Sequence, residues 1–200
     1  MFSEQYQSVY RVPHGFTCIE KCFFSRPQLG LLHHCVYTYF TTYKAVMRLL
    51  LPPIDLTQLL SYKKTSKKPL FSTIMFDKIS WLFIQSPEAP QAGQQLVIVP
   101  DLRTAHNMID ASIRENVLLW HSALSPLQMI KLFRWCKQGQ VWTLITTFAG
   151  IFHDRRDLRH ILFIEPHKRY YQHQQDPRYK VAEVVNFIAR ETGSKCTLYE

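Results

Sequence analysis

Residues 94–120 decide the fold and read QQLVIVPDLRTAHNMIDASIRENVLLW. An apolar run at residues 96–99 ends at Pro100, and a helical stretch from Leu102 to about Arg114 leads to a second apolar run at residues 117–120. Runs of this length that are apolar at every position are typical of strands buried on both faces. The stretch therefore predicts a strand, a helix and a second strand.

The same alternation continues to the end of the sequence. Further strands are predicted at residues 141–145, 161–164 and 195–199, with helices from Ser125 to Lys137 and from about Tyr179 to Glu191. Apolar strands separated by single helices indicate an α/β fold with a mostly parallel sheet covered by helices on both faces. Residues 94–200 are expected to form this domain.

The N-terminal half follows a different pattern. Apolar residues recur at three- and four-residue spacing from Leu31 to Leu50, which predicts one or two helices ending at Pro52-Pro53. We therefore expect a small helical element over residues 1–55. Residues 56–93 are expected to form a divergent connection that begins with a basic linker containing Lys63-Lys64 and Lys67-Lys68, and a helix is predicted at residues 74–83.

Composition favours a cytoplasmic protein with an anionic partner. The net charge is +9, from 24 Lys and Arg against 15 Asp and Glu, which suits nucleic acid or an acidic surface. The longest apolar stretch, at residues 45–51, is interrupted by Arg48, so we expect no membrane span. The sequence does not indicate an oligomeric state.

The cysteines and histidines do not predict a metal site. Five cysteines form no paired CxxC spacing, and the odd count fits reduced thiols. A cluster near the N-terminus has ligand types that suit zinc, but its spacings match no standard zinc module. Its members are Cys18, Cys22, His33, His34 and Cys35.

The polar segments after four predicted strands carry a resemblance to a known family. These segments are Pro100-Asp101, His121-Ser122-Ala123-Leu124, residues 146–152 (TTFAGIF) and Glu165-Pro166-His167. In order and spacing they resemble the first motor lobe of the primosomal replication-restart helicases, the PriA family, which carries P-E, H-S-G-L, G-T-R-S-A-x-F and D-E-E-H. The framework positions of the resemblance are Pro100, Asp101, His121, Ser122, Thr147 and Phe152.

The loop after the last of these segments strengthens the resemblance. The family carries Y-K-Q-x-x-x-P-R-Y with an acidic residue four positions later, and Tyr171, Gln174, Pro177, Arg178, Tyr179 and Glu183 stand in register. The resemblance covers roughly residues 28–200 and is strongest from His121 to Val184. It implies a RecA-like lobe, preceded by a winged-helix element that would end near Pro52-Pro53.

The residues that would hydrolyse ATP in this family are missing. No two of the six glycines have the spacing of a phosphate-binding loop. In the tetrad, Ile164 stands where the family has the Asp that orients Mg²⁺, and Pro166 replaces the second acid, leaving only Glu165 and His167. The resemblance places a second lobe and a zinc insertion after Glu200, so we expect neither ATP hydrolysis nor a cofactor for this chain alone.

Nucleic-acid binding is expected in the loop after the tetrad, because cations contact phosphates and aromatic rings stack on bases. Single-stranded or forked DNA would be the ligand, and replication-restart proteins are possible partners. Arg155, Arg156, Arg159 and the linker lysines could contribute. The predicted contacts are Lys168, Arg169, Tyr170, Tyr171, Gln174, Arg178, Tyr179 and Lys180.

Several alternatives stay open. The loop could be a solvated connection in which Pro177 and Tyr179 have structural roles, and His121 is more simply a framework residue than a reactant. Ser122 has no evident base, which disfavours a hydrolase. At the level of the whole chain, the alternatives to a degenerate DNA-binding relative are half of a split helicase and a purely structural interaction module.

Overall fold

The structure is a computed structural model that describes residues 24–52, 93–111, 117–121, 124–139, 143–172 and 177–200. Its helices are α1 (Arg26–Thr38), α2 (Tyr43–Leu50), α3 (Leu102–Ala111), α4 (Pro126–Gln138) and α5 (Val181–Thr192). Its strands are β1 (Gln94–Ile98), β2 (Val117–Trp120), β3 (Thr143–Thr146), β4 (Leu158–Ile164) and β5 (Lys195–Tyr199). Short 3-10 helices span Phe148–Phe152 and Arg169–Tyr171.

The predicted alternation of strands and helices is confirmed in these ranges. The strands form one sheet in the order β2-β3-β1-β4-β5, and every neighbouring pair is parallel. The helix predicted at residues 74–83, the linker lysines and the first residues of the strand predicted at 141–145 lie outside the described residues.

Both faces of the sheet are covered by helices, as the sequence predicts. On one face Val97, Val99 and Ile145 pack with Ala105 of α3. On the other face a larger core joins the sheet to α4 and α5. The connection from β1 through α3 leads to β2 in one direction along the sheet, and the connection from β4 through α5 leads to β5 in the opposite direction. Because such connections are right-handed, α3 and α5 lie on opposite faces.

Helices α1 and α2 belong to the same core as the sheet. Leu31 and Cys35 of α1 and Val46 and Leu50 of α2 are buried in the cluster that contains the α5 residues. Helix α1 packs against both α2 and α5. The described part of the N-terminal element is therefore a pair of helices attached to the sheet domain, and its winged-helix character stays a prediction.

Short local signals explain where helices begin and end. Ser25 caps α1 and Ser125 caps α4, and each forms a capping box with the glutamine three residues later and a proline at the helix start. Helices α4 and α5 end at Gly139 and Gly193, which adopt φ values of 75° and 68°. Such left-handed values favour glycine because it has no Cβ to clash.

A buried polar cluster ties α1 to the segment that precedes β4. Arg155 donates hydrogen bonds to the carbonyl oxygens of Gly150, at 2.8 Å, and of His153, at 2.7 Å. Ser25 Oγ donates to Asp154 Oδ1 at 2.6 Å, and a cavity of about 30 Å³, enough for a water molecule, lies beside them. The expectation that Arg155 contacts nucleic acid is wrong, because its side chain is buried and serves backbone carbonyls.

His153 is expected to make the fold sensitive to acid. Its ring lies between Trp120 and Phe133, and burial, with a smaller contribution from the charge of Arg155, lowers its pKa from 6.5 to about 3. Between those pH values the unfolded chain binds a proton that the folded chain does not. We therefore expect the free energy of unfolding to fall with decreasing pH below about 6.5, by up to about 1.4 kcal/mol per pH unit from this group.

Urea titrations from pH 7 to pH 4 test this assignment. His153→Gln removes the titrating group, so its free energy of unfolding should depend less steeply on pH than that of the wild type. His33→Gln, at an exposed histidine, is the matched control for the loss of an imidazole. Equal slopes for the wild type and His153→Gln would show that His153 does not cause the acid sensitivity.

Two further predictions concern metal ions and membranes. His33 is hydrogen-bonded to Tyr43, His34 stacks on Phe187 and Cys35 is buried, whereas Cys18 and Cys22 lie outside the described residues. Within the described ranges, no three His, Cys, Asp or Glu residues are grouped so that they could hold a metal ion. None of the helices described has both the length and the apolar character needed to cross a bilayer.

Candidate nucleic-acid interface

The carboxyl edge of the sheet gathers the polar segments that follow the strands. Because all neighbouring strands are parallel, the residues after β1, β2, β3 and β4 lie at one edge. The connections leaving β1 and β4 run in opposite directions from neighbouring strands. Open α/β sheets bind ligands in the crevice at the carboxyl ends of two neighbouring strands whose connections leave in opposite directions.

Tyr171 lies at the carboxyl ends of the neighbouring strands β1 and β4. Its hydroxyl donates to the carbonyl oxygen of Ile164 at 2.7 Å and lies 3.5 Å from that of Ile98. Its ring packs edge-on against Phe163 with 4.7 Å between centroids. Burial raises the pKa of Tyr171, and the charges of Glu165 and Asp101 raise it further, so the hydroxyl stays a donor. Tyr171 is 3% exposed and holds the 3-10 helix of the loop over the ends of β1 and β4.

The four residues that the resemblance aligns with the family's D-E-E-H tetrad begin at Ile164, the last residue of β4. Ile164 is buried with the α3-side cluster, so its side chain contributes packing there. Glu165 has a φ of 46°, uncommon for a residue other than glycine, and its carboxylate lies 3.3 Å from Lys168 Nζ. His167 is exposed and Pro166 is half-buried. With Ile164 apolar and Glu165 paired to Lys168, these residues do not fit a magnesium–nucleotide group.

The framework residues have structural roles at the same edge. Asp101 Oδ1 accepts a hydrogen bond from the Thr104 backbone N–H at 2.8 Å and so caps α3. Pro100 and His121 are buried, and Phe152 packs edge-on against Tyr179 at 4.8 Å. The burial of His121 favours its interpretation as a framework residue. Ser122 lies outside the described residues.

Close packing after β3 requires a glycine. Thr147 precedes the 3-10 helix, and the hydroxyl of Thr146 accepts a hydrogen bond from the Gly150 N–H at 3.0 Å. A Cβ added at Gly150 would lie 2.9 Å from the Thr146 Cβ and 3.2 Å from the Trp120 ring. The sequence segment TTFAGIF therefore builds a tight turn in which a side chain at position 150 does not fit.

Exposed cations surround the buried tyrosines. Arg169 and Arg178 are exposed, and in the described ranges neither makes an ion pair. Lys180 is exposed and lies 3.2 Å from Glu183, whereas Lys168 is half-buried. We call Lys168, Arg169, Arg178 and Lys180 the cation rim. Tyr179 is buried, so like Tyr171 it supports the loop instead of offering a ring to a ligand.

Other basic residues named from the sequence lie elsewhere. Gln174 and the linker lysines are outside the described residues. Tyr170 is the middle residue of the 3-10 helix Arg169–Tyr171. Arg156 and Arg159 are exposed at the amino end of β4, and Arg159 is paired with Asp157 at 2.7 Å. They are therefore at the opposite edge of the sheet from the cation rim.

The turn between α1 and α2 adjoins the cation rim, which sequence reasoning missed. The hydroxyl of Tyr39 donates to Glu183 Oε2 at 2.9 Å, and the other oxygen of Glu183 is the partner of Lys180. Next to Tyr39, Phe40 is 95% exposed, and Tyr37 is 71% exposed. The position of Tyr37, opposite the buried stripe of α1, was the available signal in the helical spacing.

We found no family model that matches the chain and no curated protein sequence similar to it.

Proposed function

We propose that this protein is a degenerate relative of the primosomal replication-restart helicases that binds single-stranded or forked DNA and does not hydrolyse ATP. The sequence pattern from His121 to Val184 supports the family. The parallel sheet, with the framework residues at its carboxyl edge, is compatible with a RecA-like lobe. In this proposal the protein acts in replication restart or repair, beside other restart proteins.

The observation that carries DNA binding is the position of the cation rim. Arg169 and Arg178 are exposed on either side of a loop that Tyr171 fixes to the sheet. Exposed cations contact phosphates, and neither arginine is paired with an acid among the described residues. Because the loop is fixed to the sheet, less entropy is lost on binding. A strand of DNA passing over the carboxyl edge would therefore meet an ordered set of positive charges.

The loss of hydrolysis is supported at the end of β4. The side chain of Ile164 packs in the core and supplies no oxygen for Mg²⁺, while its carbonyl oxygen accepts the hydrogen bond from Tyr171. Glu165, the remaining acid of the tetrad, is paired with Lys168. The sequence also lacks a glycine pattern for cradling phosphate groups. These residues support a binding protein over a motor.

A phosphate-release assay with single-stranded DNA tests both halves of the proposal. We expect the purified chain to bind labelled DNA in fluorescence anisotropy and to release phosphate from ATP no faster than a buffer blank. The Glu165→Gln variant should release no more phosphate than the wild type, and its DNA affinity should not fall, because the change removes a negative charge beside Lys168.

Other outcomes identify the alternatives. DNA-stimulated phosphate release that Glu165→Gln abolishes would contradict the proposal and favour an active helicase part. Absence of DNA binding even at low salt would instead favour the structural interaction module, because phosphate contacts strengthen as salt is lowered.

A further inference from the structure

The C-terminus of α1 places an aromatic residue where helices usually have glycine. The backbone N–H of Thr41 donates to the carbonyl oxygen of Val36 at 3.3 Å, which is the six-residue hydrogen bond of a Schellman motif. Phe40 is the left-handed residue of this motif, with a φ of 49°. A side chain with a Cβ is strained in this conformation, and a bulky ring is rare there.

Two other helices in the described ranges end on a left-handed glycine. Helix α5 ends in the same arrangement, with the Ser194 N–H bonded to the Ala189 carbonyl oxygen at 3.0 Å and Gly193 as the left-handed residue. Gly139 has the same conformation after α4. Phe40 therefore carries a backbone cost that these helices avoid, and at 95% exposure it recovers little by burial. Neither backbone preference nor packing in the described structure accounts for a phenylalanine here.

Two other exposed rings flank Phe40. Tyr37 is 71% exposed and Tyr43 is 42% exposed, and His33 packs edge-on against Tyr43 with 5.6 Å between centroids. We call Tyr37, Phe40 and Tyr43 the aromatic knuckle. Three exposed rings within seven consecutive residues suggest an interaction site, because exposed apolar residues on a surface are usually isolated.

The charge around the knuckle selects the kind of partner. Residues 37–52, which include the three rings, contain Lys44 and Arg48 and no aspartate or glutamate. Glu183 accepts a hydrogen bond from Tyr39 in this segment, and its other carboxylate oxygen is paired with Lys180. Tyr39, which precedes Phe40 in the chain, therefore binds the same carboxylate as Lys180 of the cation rim. Exposed rings among cations are the combination that binds single-stranded nucleic acid, because rings stack on bases while cations contact phosphates.

We propose that the aromatic knuckle is a stacking platform for the bases of single-stranded nucleic acid whose phosphates contact the cation rim. The proposal rests on the DNA-binding function proposed above and adds a second, separate part to that site. Phe40 then has a reason for its conformation: the left-handed turn projects its ring away from the core, into solvent, where a base can stack on it.

Phe40→Gly separates this role from a structural one. The variant removes the ring and relieves the backbone, so we expect its Tm to rise by about 2–4 °C. Its affinity for a labelled oligothymidylate should fall at least about fivefold, because one stacked base contributes about 1–3 kcal/mol. Phe40→Trp should keep the affinity, since it keeps a ring. An oligouridylate run in parallel shows whether the platform accepts RNA as well as DNA.

Matched measurements make the result decisive. Leu127→Ala shortens an exposed apolar side chain on α4 and should leave both Tm and affinity unchanged. If the wild type binds and Phe40→Gly binds equally well, the platform is wrong while the cation rim stands. If the wild type does not bind at all, the proposed function itself fails. A Phe40→Gly variant that changes sedimentation but keeps its DNA affinity would assign the knuckle to a protein contact and overturn the platform.

Discussion

Replacing Tyr171 by alanine is expected to lower the free energy of unfolding by about 3–5 kcal/mol. The ring is 3% exposed and packs on Phe163, and the hydroxyl bonds the carbonyl oxygen of Ile164 at the end of β4. Truncation leaves a cavity and removes a donor from a buried carbonyl. We expect guanidinium titrations to show the loss as a lower midpoint.

Tyr171→Phe is the informative partner of this variant. It keeps the ring and removes only the hydroxyl, so we expect a loss of about 1 kcal/mol from the missing hydrogen bond. Its DNA affinity should equal that of the wild type, because the ring faces the core. If Tyr171→Ala kept the stability of the wild type and lost DNA binding, Tyr171 would be a contact residue and the structural role given to it here would be wrong.

Replacing Arg169 and Arg178 together by alanine is expected to weaken binding of single-stranded DNA on the order of 50-fold at 50 mM salt. Each phosphate contact releases counterions, which at this salt concentration contributes on the order of tenfold in affinity. Both side chains are exposed, so thermal unfolding should be unchanged within about 0.5 kcal/mol. Fluorescence anisotropy and thermal unfolding measure the two quantities on the same samples.

The control is a pair of cations at the opposite edge of the sheet. Arg156 precedes β4 and Lys195 begins β5, and both side chains are exposed. Arg156→Ala with Lys195→Ala changes the net charge by the same amount as the rim variant. We expect this pair to change the affinity much less. Equal losses in both pairs would mean that total charge, and not the cation rim, determines binding.

Much of the fold could be predicted because its signals are local. The strands show as apolar runs, and the serine and proline before α4 and the glycines after α4 and α5 mark helix ends. The carboxyl edge followed from the parallel order of the strands. Sequence could not give the order itself, since β1 lies between β3 and β4, which are distant from it in the chain.

The site was harder to predict because exposure is a tertiary property. Tyrosine is a residue type that stacks on bases, but Tyr179 is buried against Phe152 and Tyr171 against Phe163. The sequence does not show either contact. Arg155 was indistinguishable from its exposed neighbour Arg156 until the carbonyl oxygens around it were seen. Phe40 lies within the apolar spacing from Leu31 to Leu50 that predicts helices, and its left-handed backbone and exposure are not visible in that spacing.

A salt-dependent titration of the wild-type protein with single-stranded DNA tests the account most directly. If the exposed cations of the rim contact phosphates, a plot of log Kobs against log salt concentration should be linear with a slope of about −2 to −3, because each contact contributes about −0.7 on a single strand. Binding with a slope near zero, or no binding at the lowest salt, would contradict the claim that this protein holds DNA through its cation rim.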